Sequence, residues 1–374
     1  MTSVLIYLSV IAITCFFAYL CEKNIENNKM NIKGKFYAFL TILIPSIIAG
    51  IRYYVGTDYP FYANSIFLQI CDTNSIVDAH YVFEVEWGYS ILNFIISRFT
   101  NNPHVIFFIV SFITTGCVFG AIYKYKKYLS ISYAMFVYMI LFYQLSFNLV
   151  RQCLALSIVL LAYAYIFENK YMKGIILIGI ATFFHYSAII ALVVIPIKKA
   201  FESKYRIVYL TITLLLVTLL FIFYTPILTA VLNFMNKILK IDVYRYLRYL
   251  ETEGKSNFSI LIALQRIPFL IMPLLCIKSF FNNKKENGMI YFLLVVDLIV
   301  AHMSLISNYV QRISFYFAFL KILALPQVVS SIKNTQKKKE ISIIQNCFLI
   351  GYWVYFYVLC NYGNTFPYEF SFYA

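Results

Sequence analysis

The stretch HVIFFIVSFITTGCVFGAIY, residues 104–123, carries no Asp, Glu, Lys or Arg, and KYKK follows it at 124–127. Twenty residues at ~1.5 Å each reach ~30 Å, the thickness of a bilayer's hydrocarbon core. An uncharged stretch of that length ending in lysines reads as a membrane-spanning helix with its basic end in the cytoplasm.

Working outward, similar apolar runs fall near 3–21, 36–52, 130–147, 149–167, 174–197, 207–224, 258–277, 289–306, 313–332 and 341–360. The whole chain of 374 residues is 62% hydrophobic and 13% charged. Soluble domains carry about 25% charged residues, so too little polar surface remains for a water-soluble fold. Ten-residue alternating strands are absent, which excludes a membrane β-barrel and leaves an all-α transmembrane bundle. Residues 1–374 read as a single integral membrane domain, and 1–21 as a retained first helix, not a signal peptide. The net charge of +15 comes from lysines placed between apolar segments, so topology explains it and nucleic acid is not an expected partner. Eight cysteines form no CxxC or Cys/His pattern, so neither a metal nor a structural disulfide is expected.

Connections 22–35, 124–127, 170–173, 198–206, 278–285 and 333–339 hold 20 of the 31 Lys and Arg residues. The positive-inside rule places them in the cytoplasm. The acidic connections between them, with Asp58, Asp72, Asp78, Glu84, Glu86, Asp242, Glu251 and Glu253, then face outward. Residues 174–197 have lysine-rich flanks at both ends and are too short to cross twice. We expect a re-entrant helical hairpin bent near His185; the alternative is one ordinary span with one basic loop outside. With the hairpin, the chain makes about ten full spans with both termini outside. Two outer loops follow, 53–103 and 225–257.

Lysine and arginine sort apart. Seven of the eight arginines fall outside or at outer helix ends, namely Arg52, Arg98, Arg151, Arg245, Arg248, Arg266 and Arg312. Topology treats the two cations alike, so it does not explain the split. Arginine grips phosphate bidentately and lysine does not, which points to an anionic ligand such as a lipid pyrophosphate. Headgroup snorkelling is the competing explanation and suits Arg98, Arg245 and Arg248. Arg52, Arg151, Arg266 and Arg312 are the expected ligand contacts.

The first outer loop opens with RYYVGTDYPFYANSIF, 52–67. Its aromatic faces suit sugar stacking, and equally an interfacial belt. Asp58 reads as a base, a sugar-hydroxyl acceptor or a turn residue. In 83–99, Trp87, Ile91, Phe94, Ile95 and Phe99 recur at helical spacing and predict an amphipathic helix at about 84–99 lying on the outer membrane surface. Glu86, followed by Gly88 and Tyr89, stands as a site candidate, although a carboxylate before a first helical turn also serves the helix dipole. Asp297 and Lys321 fall mid-span, where a structural ion pair is the expected arrangement.

RYYVGTDYPFY (52–62), EVEWGY (84–89), NLVRQCLALSIVLLAYAYI (148–166) and KGIILIGIATFFHYSAII (173–190), in this order, resemble the EpsG family of Wzy-like exopolysaccharide polymerases. NYVQRISFYF (308–317) and FPYEF (366–370) match more loosely. The resemblance implies an enzyme that joins lipid-linked oligosaccharide repeats on the outer face of the cytoplasmic membrane, with undecaprenyl pyrophosphate leaving. It implies no cofactor, and a flippase and a chain-length regulator of the same pathway as partners. The family's motif positions fall on Arg52, Gly56, Asp58, Tyr62, Glu86, Gly88, Arg151, His185, Ser187 and Arg312. Transfer from a diphosphate needs fixed cations, here Arg151 and Arg312 with Arg52 and Arg266 next, and Tyr62 and Tyr89 as aromatic neighbours of the substrate. It also needs a base, for which His185 and Asp58 rank level and Glu86 third. A neutral buried His185 is the structural alternative. A polyprenyl-linked glycosyltransferase or ligase, a lipid-linked oligosaccharide flippase and an acyltransferase remain competing classes.

Overall fold

A computed structural model describes residues 2–82, 85–223, 226, 229–230, 260–302 and 308–370. The expected second outer loop at 225–257, with Arg245 and Arg248, falls almost wholly outside the described residues, as does Glu84. The chain divides into two units: residues 1–189 with 325–374, and residues 190–324.

In the first unit, α1 (Thr2–Lys23) and α2 (Ile32–Ile51) are joined by a two-strand hairpin, Ile25–Glu26 against Lys29–Met30. The connection 52–102 forms α3 (Phe61–Cys71), α4 (Ile76–Tyr81) and α5 (Trp87–Ser97). Then come α6 (Pro103–Lys124), α7 (Ile131–Phe147), α8 (Val150–Phe167) and α9 (Tyr171–Phe184). α8 lies at the centre, with 83% of its apolar window buried against 33% for α1 and 39% for α2. Outward residues such as Leu5, Phe16 and Phe39 are apolar and exposed, as lipid-facing positions require. Small residues let the helices approach closely. A Cβ on Gly174 would meet the Ile166 side chain at 2.4 Å, and one on Gly50 would meet Phe108 Cβ at 2.8 Å. Two buried hydroxyls of α2 are satisfied within the helix, Thr41 donating to the Tyr37 carbonyl and Ser46 to the Ile42 carbonyl.

The cation sorting read from the sequence is a physical polarity of this unit. At one end Lys124 and Lys170 share Glu168, each at 2.8 Å, and Ser130 bonds Glu22. At the other lie the end of α2, the starts of α6 and α8, and the end of α9, carrying Arg52, Arg151 and His185. Arg98 caps the end of α3, donating to the carbonyls of Ile70 and Cys71.

The second unit contains α10 (Val194–Glu202), α11 (Arg206–Ile222), α12 (Ile260–Leu275), α13 (Ile277–Asn283), α14 (Asn287–His302) and α15 (Asn308–Ala318). The chain returns to the first unit along α16 (Lys321–Ser330), and α17 (Thr335–Leu359) follows.

The structure is an all-α helical membrane fold. The expected count of ten spans is not confirmed: six described helices are long and apolar enough to cross, or seven if the 86° bent pair α12–α13 is one span. The difference is length. The run at 130–147 folds partly as π and 3-10 turns within α7, and α9 has 14 residues, which at ~1.5 Å each fall short of ~30 Å. α9 ends at His185, whose backbone is extended (φ −157°, ψ 113°), and a 3-10 turn, Tyr186–Val193, follows. The amphipathic helix exists as α5. Its small and polar side, Gly88, Tyr89, Ser90, Asn93 and Ser97, is buried in the protein, while Ile95 and Phe99 of the apolar stripe stay exposed.

Candidate functional site

Three helix ends meet around Glu86. Its backbone caps the start of α5, with the Glu86 carbonyl accepting from the amides of Tyr89 and Ser90. One carboxylate oxygen accepts from His185 Nδ1 at 2.6 Å, and the other pairs with Arg151 Nη1 at the start of α8. The Glu86 side chain is 6% exposed, while those of Arg151 and His185 are each 20% exposed. Burial pushes the Glu86 carboxyl upward, but the His185 hydrogen bond and the Arg151 charge outweigh it and hold the group below the usual carboxylate range. An ionised Glu86 fixes the imidazole: Nδ1 is the donor, which leaves Nε2 as the ring's acceptor.

Glycine makes this junction possible. A Cβ on Gly88 would stand 2.7 Å from the Phe183 carbonyl oxygen, so only glycine lets α5 approach the end of α9 closely enough. Tyr62 lies with its ring centroid 5.8 Å from the Arg151 guanidinium, and Tyr89 meets Tyr62 edge-on at 5.7 Å. Both tyrosines are buried, at 5% and 0% exposure, so they form the wall behind Arg151 and present no open aromatic face.

Arg52 sits deeper, 2% exposed, with its guanidinium 4.4 Å from the rings of both Phe107 and Phe147. Among the described residues no carboxylate pairs with it, and cation–π contact takes that place. Its backbone bridges to Phe370. Asp58 lies in the turn beyond. Its amide and the Thr57 hydroxyl both donate to Asn148 Oδ1, at 3.4 Å and 3.0 Å. Asn148 Nδ2 donates in turn to the Gly363 carbonyl at 3.0 Å. Gly56 and Gly363 both have positive φ and face this asparagine. Residues 361–370 strap this end of the unit: the Gly56 amide donates to the Asn364 carbonyl, Tyr7 to the Thr365 carbonyl, and Tyr368 to the Ile48 carbonyl.

Arg266 and Arg312 belong to the second unit. Arg266 Nε lies 3.6 Å from Asp297 Oδ1, and Lys321 Nζ lies 2.7 Å from Asp297 Oδ2, all three side chains buried. The expected Asp297–Lys321 ion pair is present, with Arg266 as a third member. Arg312 is half-buried in α15.

Of the candidates read from sequence, the structure brings together Glu86, Arg151, His185, Tyr62 and Tyr89, with Asp58 in the adjoining turn and Arg52 behind. Sequence reasoning missed Asn148, the hub between two motifs and the chain's end. The signal was there: an asparagine in the turn two residues before a helix, in the same motif as Arg151. Glu86, Arg151 and His185 are separate candidates in the sequence, 65 and 99 positions apart, and only the fold joins them.

These features define a multi-pass helical membrane protein with a half-buried ionic site where three helix ends converge. The chain matches the EpsG family over residues 35–370, nearly its whole length, and belongs to that family. An exopolysaccharide polymerase-type function goes with the family. No curated protein and no solved structure matches the chain.

Proposed function

We propose that this chain is a glycosyltransferase-type polymerase that joins undecaprenyl-pyrophosphate-linked oligosaccharide repeats on the outer face of the cytoplasmic membrane. The observation that carries this reading is the carboxylate of Glu86 held between Arg151 and His185. Family membership supports the polysaccharide class, and the lysine-rich opposite end supports an outward site by the positive-inside rule.

In this reading His185 is the base. Glu86 orients its ring through Nδ1, as the carboxylate does in hydrolase triads, and Nε2 takes the proton from the acceptor sugar hydroxyl. The freed oxygen attacks the anomeric carbon of the donor chain. The bond from that carbon to the pyrophosphate oxygen breaks, and the electron pair leaves on the diphosphate. Arg151 meets the developing charge with the guanidinium nitrogens that Glu86 does not occupy. Its place in the first turn of α8 adds the helix's free amides to the same end. Glu86 itself suits orientation better than proton transfer, because its partners keep it ionised and engaged. Asp58 then serves substrate hydroxyls, and Arg52 serves the scaffold.

The test is reconstitution of the full chain in lipid with purified lipid-linked repeats. Wild type should give long polymer. Arg151→Ala and His185→Gln should leave single repeats on lipid while the protein remains in the membrane at normal level. Wild-type chain length in both variants would end this reading. Were the chain a flippase instead, its loss would strand repeats on the inner leaflet, and the wild type would form no polymer in the reconstituted system.

A further inference from the structure

Six non-glycine residues among those described have positive φ. Five are asparagines (Asn27, Asn28, Asn169, Asn361 and Asn364), whose short amide tolerates the left-handed region. The sixth is Tyr54, at φ 52°. A bulky aromatic in that conformation is costly, and persists only where its surroundings force it. Here they do. The backbone is pinned before Tyr54 by the Arg52–Phe370 bridge and by the Tyr53 amide donating to the Glu369 carbonyl at 3.0 Å. It is pinned after Tyr54 by the Gly56 amide donating to the Asn364 carbonyl at 2.9 Å and the Thr57 amide to the Gly363 carbonyl at 3.1 Å.

What the strain secures is a ring held out, not tucked in. Tyr54 is 50% exposed, whereas its neighbours Val55 and Tyr59 are buried. Its ring is braced edge-on by Tyr53 at 4.8 Å and at a tilt by Tyr59 at 5.3 Å, and its hydroxyl accepts from Asn64 Nδ2 at 3.2 Å. A lipid anchor needs none of this fixing, since interfacial tyrosines hold their place from ordinary backbone conformations. A half-exposed, braced aromatic with the Asn64 amide on its hydroxyl, and Asp58 four residues further along the same loop, is the chemistry that recognises a sugar ring. The apolar face of the sugar covers the aromatic, and its hydroxyls meet the polar groups.

We propose that Tyr54 is the stacking platform of a saccharide subsite on the arginine end of the first unit, with Asn64 and Asp58 as its hydroxyl partners. This rests on the polymerase reading for its substrate class. It assigns the loop the task of holding a sugar of the repeat while transfer occurs elsewhere in the unit.

The experiment uses the full chain in lipid nanodiscs and, as probe, the soluble repeat oligosaccharide freed from its lipid by mild acid. Binding is read by saturation-transfer NMR. Tyr54→Asn removes the ring and keeps a residue suited to the backbone, so thermal stability should hold. Repeat binding should weaken about five- to tenfold, and KM for the lipid-linked repeat should rise similarly with kcat held within about twofold. Tyr54→Trp should keep binding. Equal binding by wild type and Tyr54→Asn overturns the proposal; should Tyr54→Asn prove unstable, Tyr54→Gly gives the same comparison. The two readings fail separately. Repeat binding lost in Tyr54→Asn upholds the subsite even where His185→Gln still makes polymer. Polymer lost in His185→Gln, with repeat binding unchanged in Tyr54→Asn, sinks the subsite alone.

Discussion

Two clusters in this molecule have the same plan. In each, one carboxylate is shared by two nitrogen groups: Glu86 with Arg151 and His185, and Asp297 with Arg266 and Lys321. They differ in access and in the kind of nitrogen group each holds. The flanking groups of the first are 20% exposed, and one is a histidine with a ring nitrogen to spare. The flanking groups of the second are 8% and 7% exposed, and neither is a histidine. A charge network closed on all sides neutralises its own members; one that keeps an edge open can act on something else. Buried ionisable groups in a membrane protein therefore need sorting by exposure before any is assigned a role.

The largest expected effects break the comparison from opposite sides. His185→Gln should cost polymerisation about 10²–10⁴-fold, the usual weight of a general base, with little change in unfolding temperature. If activity survives, the Glu86 cluster is only a staple between helix ends and resembles the other. Asp297→Asn should do the reverse. It leaves Arg266 and Lys321 buried without a counter-charge, which costs about 3–5 kcal/mol. Membrane expression and thermal unfolding should fall sharply, and Lys321→Met added to Asp297→Asn should restore part of the loss. A stable Asp297→Asn protein lacking activity would move this cluster into the chemistry.

The sequence made some of this legible and not the rest, for physical reasons. Spans such as Pro103–Lys124 were readable because hydrophobic length is a local property. The Arg-versus-Lys polarity was readable because it runs in one dimension along the chain. The Asp297–Lys321 pair was expected because isolated charge in lipid is costly. The convergence on Glu86 was not readable, since it joins residues 65 and 99 positions apart. Nor could the sequence show that Arg52 is caged by Phe107 and Phe147, because an arginine at a helix mouth looks the same whether it turns in or out. Tyr62 and Tyr89 misled in the same way: period and composition give residue type, while exposure is settled by tertiary packing.

A subtler change sharpens the comparison without touching a charge. Gly88→Ala places a Cβ 2.7 Å from the Phe183 carbonyl oxygen and 2.9 Å from its carbon, and neither backbone atom can swing away. α5 must shift from the end of α9, at a cost of about 1–3 kcal/mol. Glu86 begins α5 and His185 ends α9, so the same shift stretches their hydrogen bond. Activity should fall further than stability does. Gly179→Ala in α9, where nothing lies within 4 Å, is the control and should change neither. Equal small losses in both variants would show that the junction tolerates misplacement and is no site of chemistry.

The smallest effect is the acid limb of stability. Glu86 is held below its ordinary value of 4.5 in the folded protein, so it binds its proton less readily folded than unfolded. Stability from this group is therefore fully present above that ordinary value and is lost as pH falls through the lower, folded one. Thermal unfolding followed from pH 6 downward should stay level and then decline only in the acid range below the usual carboxylate value. In Glu86→Gln that part of the decline should be missing, while the rest of the acid limb, set by other carboxylates such as Glu168 at the lysine end, should persist. An unchanged limb in Glu86→Gln would mean the carboxyl is not held ionised by its neighbours. It could then take the proton itself, and the assignment of base would pass from His185 to Glu86.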